Sequence, residues 1–133
     1  MKRILVALDA STRAQVILAT AISVARAMGA KVRLFRAVPL QTEMPMVRQF
    51  LRLEERHAKA DLDAYEVPAE LRDGVEAKMG TPWSAICSAA REYDADLIVV
   101  GSRGRTAMDR LRSTTAKVVG HADTSVLVVR CAD

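Results

Sequence analysis

Short apolar runs alternate along this chain with longer stretches in which apolar residues return every third or fourth position. Ile4 to Leu8 is the first run, stopped by Asp9, Ala10 and Ser11, and a continuous apolar stretch of that length suits a strand covered on both faces of a parallel sheet. From about Arg13 to Met28 the polar positions Gln15, Thr20, Ser23 and Arg26 leave a wide apolar surface of Ile17, Leu18, Ala21, Val24, Ala25 and Met28. This pattern predicts a helix that Ser11 or Thr12 can cap and that Gly29 ends. Lys31 to Val38 predicts a second strand, and Pro39 prevents further ladder bonds in the middle of a sheet. Met46, Phe50, Leu53, His57, Ala60 and Ala64 then recur at spacings of three and four, which predicts a second helix with those residues on its apolar face.

Val67-Pro68-Ala69-Glu70 breaks that helix, and Gly74 to Met79 alternates as a third strand does. In the turn Gly80-Thr81-Pro82, Thr81 can serve as N-cap and Pro82 as the first helical residue, where a missing N–H costs nothing. The helix it opens runs to about Tyr93. Asp96 to Val100 is the clearest strand, closing at Gly101-Ser102-Arg103-Gly104; a last helix follows between about Thr106 and His121, and Ser125 to Arg130 makes a fifth strand. Strand and helix alternate from end to end. The reading is therefore a single α/β domain over residues 1–133, an open five-stranded parallel sheet with right-handed crossovers and helices on both faces.

Composition narrows the function classes. Hydrophobic residues make up 50% of the chain but aromatic residues only 4%, a balance that suits small-residue helices packed closely on a sheet. The net charge of +4 arises from 20 basic residues interspersed with 16 acidic ones, without the sustained positive field of a nucleic-acid arm. No apolar run approaches the roughly 20 residues that span a bilayer, and Asp9 interrupts the first one too early for a secretory leader. Cys87 and Cys131 have neither disulfide-framework nor metal spacing, so reduced thiols and a cytoplasmic protein without nucleic-acid or membrane partners are expected. Cys131, near an end, is expected to be the more exposed and redox-reactive of the two.

In open α/β sheets ligands collect beyond the carboxyl ends of strands, where strand order reverses. Here those ends are Asp9, Ala37-Val38 and Gly101-Ser102-Arg103-Gly104. Glycines just after a strand let backbone N–H groups approach phosphate oxygens, and Ser113, Thr114 and Thr115 add hydroxyl donors. The stretch Ile4-Leu5-Val6-Ala7-Leu8-Asp9, the Gly80-Thr81-Pro82 turn, ADLIVVGSRGR from Ala95 to Arg105 and SVLVVR from Ser125 to Arg130 together resemble the universal stress protein family over nearly the whole chain. The resemblance implies a Rossmann-like sheet of order 3-2-1-4-5, a homodimer joined through the last strand, a stress-response or regulatory role, and ATP or another adenine nucleotide as cofactor. It implies that Asp9, at the end of the Ala7-containing first strand, and Ala37 contact adenine and ribose. Gly101, Arg103 and Gly104 would then lie in the family's phosphate-binding pattern Gly-x2-Gly-x9-Gly-(Ser/Thr).

The pattern is incomplete. Strict spacing puts Thr114 at the third glycine and Thr115 at the hydroxyl position, whereas alignment backward from the last strand, which leaves no gap from Ser113 to Arg130, puts Arg112 at the glycine and Ser113 at the hydroxyl. Either way a Cβ stands where the backbone should approach phosphate, and Arg112 offers a charge-assisted contact in its place. Weaker nucleotide binding than in members with the full pattern is expected. Each residue also has a structural reading: the glycines as tight turns, Asp9 as a cap, His57 and His121 as packed or solvated residues, Trp83 as packing, Cys87 as a small buried hydrophobe, and Arg103, Arg105, Arg110 and Arg112 as a solvated face. No catalytic constellation or metal set is visible, which leaves a nucleotide-binding regulator, or a dimeric interaction module of the same fold with an unknown protein partner.

Overall fold

In the computed structural model, which describes residues 2–9, 11–39, 47–102 and 113–131, the elements run β1 (Lys2–Ala7), α1 (Ala14–Met28), β2 (Ala30–Val38), α2 (Val47–Asp63), β3 (Arg72–Met79), α3 (Pro82–Tyr93), β4 (Leu97–Ser102), α4 (Thr114–His121) and β5 (Ser125–Arg130). Every ladder is parallel, and the strands lie in the order β3-β2-β1-β4-β5. Among the described residues no helix is long and apolar enough to cross a membrane.

Helices cover both faces of the central strands β1 and β4, which is why these read as continuous apolar runs. Successive side chains point to opposite faces. Ile4, Val6 and Leu8 of the first strand segment, with Val32, Leu34 and Val99, meet Ala14, Ile17, Leu18, Ala21 and Ala25 of α1 and Leu62 of α2. Leu5, Phe35, Ile98 and Val100 meet Ala85, Ile86, Ala89 and Ala90 of α3 and Val118 of α4 on the other face. Among the described residues each face thus carries two helices, as expected, and the alanines facing the strands let the helix backbones lie close. Fully burying a Leu, Ile or Phe side chain contributes about 1.5–3 kcal/mol, and Phe35 is the largest completely buried side chain among the described residues.

The apolar face of α2 is not the one the spacing predicted. Leu53, His57, Ala60 and Ala64 are exposed, while Ala58 and Leu62 are buried. The helix is amphipathic, but its few apolar residues admit two stripes one residue apart, so spacing alone placed the face about a third of a turn away from the side that packs on β2 and β3. Cap chemistry also differs. Ser11 and Thr12 do not cap α1; its N-cap is Arg13, without a side-chain cap bond. The Ser11 hydroxyl instead accepts from the Arg13 N–H at 3.3 Å, inside the turn that Asp9 closes. Thr81 does hold the N-cap position of α3, with Pro82 following, yet makes no side-chain cap bond. Cys131 is buried, contrary to expectation, beside α1 and the end of β4.

At the amino ends of the strands Tyr93 closes α3 onto the sheet. Its hydroxyl donates to Asp73 Oδ2 at 2.6 Å, and the guanidiniums of Arg33 and Arg3 lie 4.1 and 5.6 Å from its ring centre. Burial, and then the hydrogen bond to the Asp73 carboxylate, push the phenol well above its ordinary range. An unfolded tyrosine ionises near pH 10, whereas the folded one keeps its proton. The stability this phenol contributes is therefore complete below about pH 10 and declines above it, at about 1.4 kcal/mol per pH unit. Tyr93→Phe is expected to cost about 1.5–3 kcal/mol at pH 7, the worth of a hydrogen bond to a charged group. In urea titrations that gap should shrink by pH 11, since only the wild type has the phenol to lose; a constant gap would overturn this account.

Candidate functional site

The two halves of the sheet separate at its carboxyl edge. Strand β1 pairs with β4 through Ile4, Leu5 and Val6 against Leu97, Ile98 and Val99. Beyond that point β1 stays with β2, Ala7 opposite Phe35 and the Leu8 N–H donating to the Phe35 carbonyl at 2.9 Å. Strand β4 stays with β5, Val100, Gly101 and Ser102 lying opposite Val128, Val129 and Arg130. Strand order reverses at this boundary, since the chain proceeds from β1 to β2 on one side and from β4 to β5 on the other. A crevice at such a switch point is where open α/β sheets bind ligands.

Asp9 stands two residues past the end of β1, on the β1 side of this boundary. Its Oδ1 accepts from the Ser11 N–H at 2.9 Å and from the Ser11 hydroxyl, which makes an Asx turn between β1 and α1. Ala7 is the last residue of β1 and Ala37 the penultimate residue of β2, both with side chains of one carbon, partly buried on the α3 face. On the β4 side, Ser113 is the N-cap of α4, its Oγ accepting from the Ala116 N–H at 3.1 Å. Thr114, the first residue of that helix, is exposed. Asp9, Ala7, Ala37, Gly101, Ser113 and Thr114 are thus carried on the carboxyl ends of β1, β2 and β4 and on the start of α4. Arg103, Gly104 and Arg112 fall outside the described residues.

Three contacts at this edge were not foreseen. Gly101 lies within β4, which runs on to Ser102, and not in the turn after it. A Cβ on Gly101 would stand 2.4 Å from Ile17 Cδ1 and 2.9 Å from Ile17 Cγ1, so glycine is required here by the approach of α1. The Thr115 hydroxyl donates to the Gly101 carbonyl and ties the first turn of α4 to the strand end. Arg36, whose side chain is only 13% exposed, pairs with Asp61 of α2 at 3.1 Å. Nothing in the sequence singled out Arg36 from Lys31 and Arg33 of the same strand, or brought Ile17 next to Gly101.

The strand order and the helices on both faces define a doubly wound α/β protein with a switch point between β1 and β4. The model of the universal stress protein family matches residues 1–130, and the chain belongs to that family. A universal stress protein from Thermus aquaticus is 36% identical over 135 residues, covering 97% of this chain and 98% of the relative. The structure of UspA from Lactobacillus plantarum superposes with a TM-score of 0.78 at 28% identity, covering 97% of each chain. A universal stress protein solved in complex with cAMP superposes with a TM-score of 0.66 at 27% identity, covering 98% of each chain.

Proposed function

We propose that this chain binds an adenine nucleotide in the crevice between β1 and β4 and acts in the cytoplasm as a stress-response or regulatory homodimer assembled through β5. The end of the β1–β4 ladder at the switch point supports the nucleotide reading, because strand ends of suitable chemistry part there, at the place where open α/β sheets bind ligands. A carboxylate at Asp9 suits ribose hydroxyls, and the single-carbon side chains of Ala7 and Ala37 leave space for a planar base. The similar protein that holds cAMP supports an adenine ligand. The phosphate side is poorer: Ser113 already caps α4 and Gly101 is required by Ile17, while Arg112 or Thr114 replaces the third glycine. Each charge-assisted hydrogen bond lost costs about 1.5–3 kcal/mol.

Self-association is argued from the two edges of the sheet. Strand β3 is guarded by Arg72, Asp73, Glu76 and Lys78, and Lys78 pairs with Glu92 of α3, which discourages pairing with another chain. Strand β5 reads Ser-Val-Leu-Val-Val-Arg and leaves Val128 40% exposed. An apolar edge of this kind is an association site unless something covers it, and a second copy covers it with the same strand.

Calorimetric titration of ATP and AMP into the purified chain, preceded by mass analysis of small molecules released on denaturation, tests the nucleotide reading. Dissociation constants in the micromolar range or weaker are expected. Sub-micromolar ATP binding would refute the weakening. No binding of either nucleotide would refute the reading and favour the dimeric interaction module, which the structural roles of Gly101 and Ser113 already support.

A further inference from the structure

We propose that the adenine nucleotide this chain binds carries a phosphate on the 2′ or 3′ oxygen of its ribose, and that Arg36 is the residue that selects it. The inference rests on the nucleotide reading above and names the ligand class within it. The observation behind it is a guanidinium at the β1–β2 end of the candidate site. Arg36 lies two residues before the end of β2, and its side chain leaves the sheet on the face opposite Ala37. There its Nη1 donates to Asp61 Oδ2 at 3.1 Å, and its Nε makes a long contact of 3.5 Å to the Leu8 carbonyl. That carbonyl belongs to the peptide joining Leu8 to Asp9, so the guanidinium lies against the same turn that presents the Asp9 carboxylate.

Arginine carries more N–H donors than these two contacts use. No side-chain nitrogen of Arg36 is both buried and without a partner, so Nη2 opens to solvent although the side chain as a whole is only 13% exposed. A guanidinium held by its neighbours with donors to spare suits two-pronged recognition of a phosphate. In doubly wound folds a carboxylate in this region takes the ribose 2′-hydroxyl, and an arginine accommodates a 2′-phosphate. Of the last three residues of β2, Arg36, Ala37 and Val38, only Arg36 is charged. One ribose oxygen then meets Asp9, and the other carries its phosphate to Arg36. The β4 side offers less to a phosphate: the Thr115 hydroxyl proton is used on the Gly101 carbonyl, and the Ser113 Oγ accepts from the Ala116 N–H.

Calorimetric titration of the full chain with 2′-AMP, 3′-AMP, 5′-AMP and adenosine measures the selection, since the three monophosphates differ only in where the phosphate sits. The tighter of 2′-AMP and 3′-AMP is expected to bind at least about 10-fold more tightly than 5′-AMP, the worth of one charge-assisted hydrogen bond. Arg36→Gln should bring that ratio close to one while adenosine binding is unchanged. Arg36→Lys should restore only part of it, because lysine supplies the charge without the planar fork. Asp61→Asn breaks the ion pair to α2 but keeps the guanidinium, so it should retain the preference. Loss of the preference in Asp61→Asn would mean that Arg36 acts by holding α2, and a preference that survives Arg36→Gln would place the selection elsewhere; either result overturns the role assigned to Arg36. If 5′-AMP binds as tightly as both isomers or more tightly, the ligand class is wrong while the nucleotide reading stands. If none of the four ligands binds, the reading fails and the inference falls with it.

Discussion

Val128→Lys is expected to convert the proposed dimer into a monomer with the 14.5 kDa mass of one chain. Val128 is already 40% exposed, so the longer side chain enters solvent and the protomer should keep its circular dichroism spectrum and melting midpoint. Pairing of two β5 strands brings two such lysines close to one symmetry axis. Juxtaposed like charges cost several kcal/mol at an interface, and each 1.4 kcal/mol is tenfold in affinity. A rise in the dimer dissociation constant of about 100-fold or more follows, readable by light scattering coupled to sizing. The substitution gives β5 the same protection that Arg72 and Lys78 give β3. A dimer mass unchanged in the variant would move the interface away from this edge.

Gly101→Ala is expected to destabilise the fold, although glycine-to-alanine changes in compatible backbone stabilise by about 0.4–1 kcal/mol. The new methyl meets Ile17 Cδ1 at 2.4 Å and Cγ1 at 2.9 Å, with Cys131 Sγ at 3.6 Å, so α1 must shift or Ile17 must leave its rotamer. Overpacking of this kind costs about 1–3 kcal/mol, which outweighs the gain. Ile17→Val removes the nearest atom and alone costs about 0.5–1.5 kcal/mol. In combination the two should be less destabilising than their sum by about 1 kcal/mol, the mark of residues in direct contact. Urea unfolding of the four proteins measures this, and simple additivity would show that Gly101 is not held by α1. The result also bears on function: weaker nucleotide binding by Gly101→Ala would not by itself identify a phosphate contact, since the substitution disturbs the β4 wall through Ile17.

The order of elements was legible because each is a local pattern. The run Ile4 to Leu8 needs no neighbours to be recognised as a strand covered on both faces, and the turn Gly80-Thr81-Pro82 marks a strand-to-helix junction by its own backbone preferences. The family, and with it the strand order now seen, could be recognised from ADLIVVGSRGR and SVLVVR. Side-chain details that depend on who lies opposite were less accessible. Ala58 and Leu62 face the sheet where Leu53 and His57 were expected, because the apolar residues of α2 admit two stripes one residue apart, and only packing on β2 and β3 selects between them. Cys131 looked exposed because it is close to the chain end, yet the ladder to β4 carries it under α1.

The candidate site divides in the same way. By itself the sequence determined the alternation of strands and helices, the placing of Asp9, Ala37 and Gly101 at strand ends, and the absence of a third glycine at either aligned position, since all of these follow from residue type and spacing along one chain. Only the tertiary structure decided that β1 leaves β4 after Val6, that Gly101 is shaped by Ile17 across 84 positions of chain, and that Thr115 reaches back to the Gly101 carbonyl. Those are contacts between segments far apart in sequence, and their geometry comes from how the twisted sheet and its helices pack, which no local period encodes.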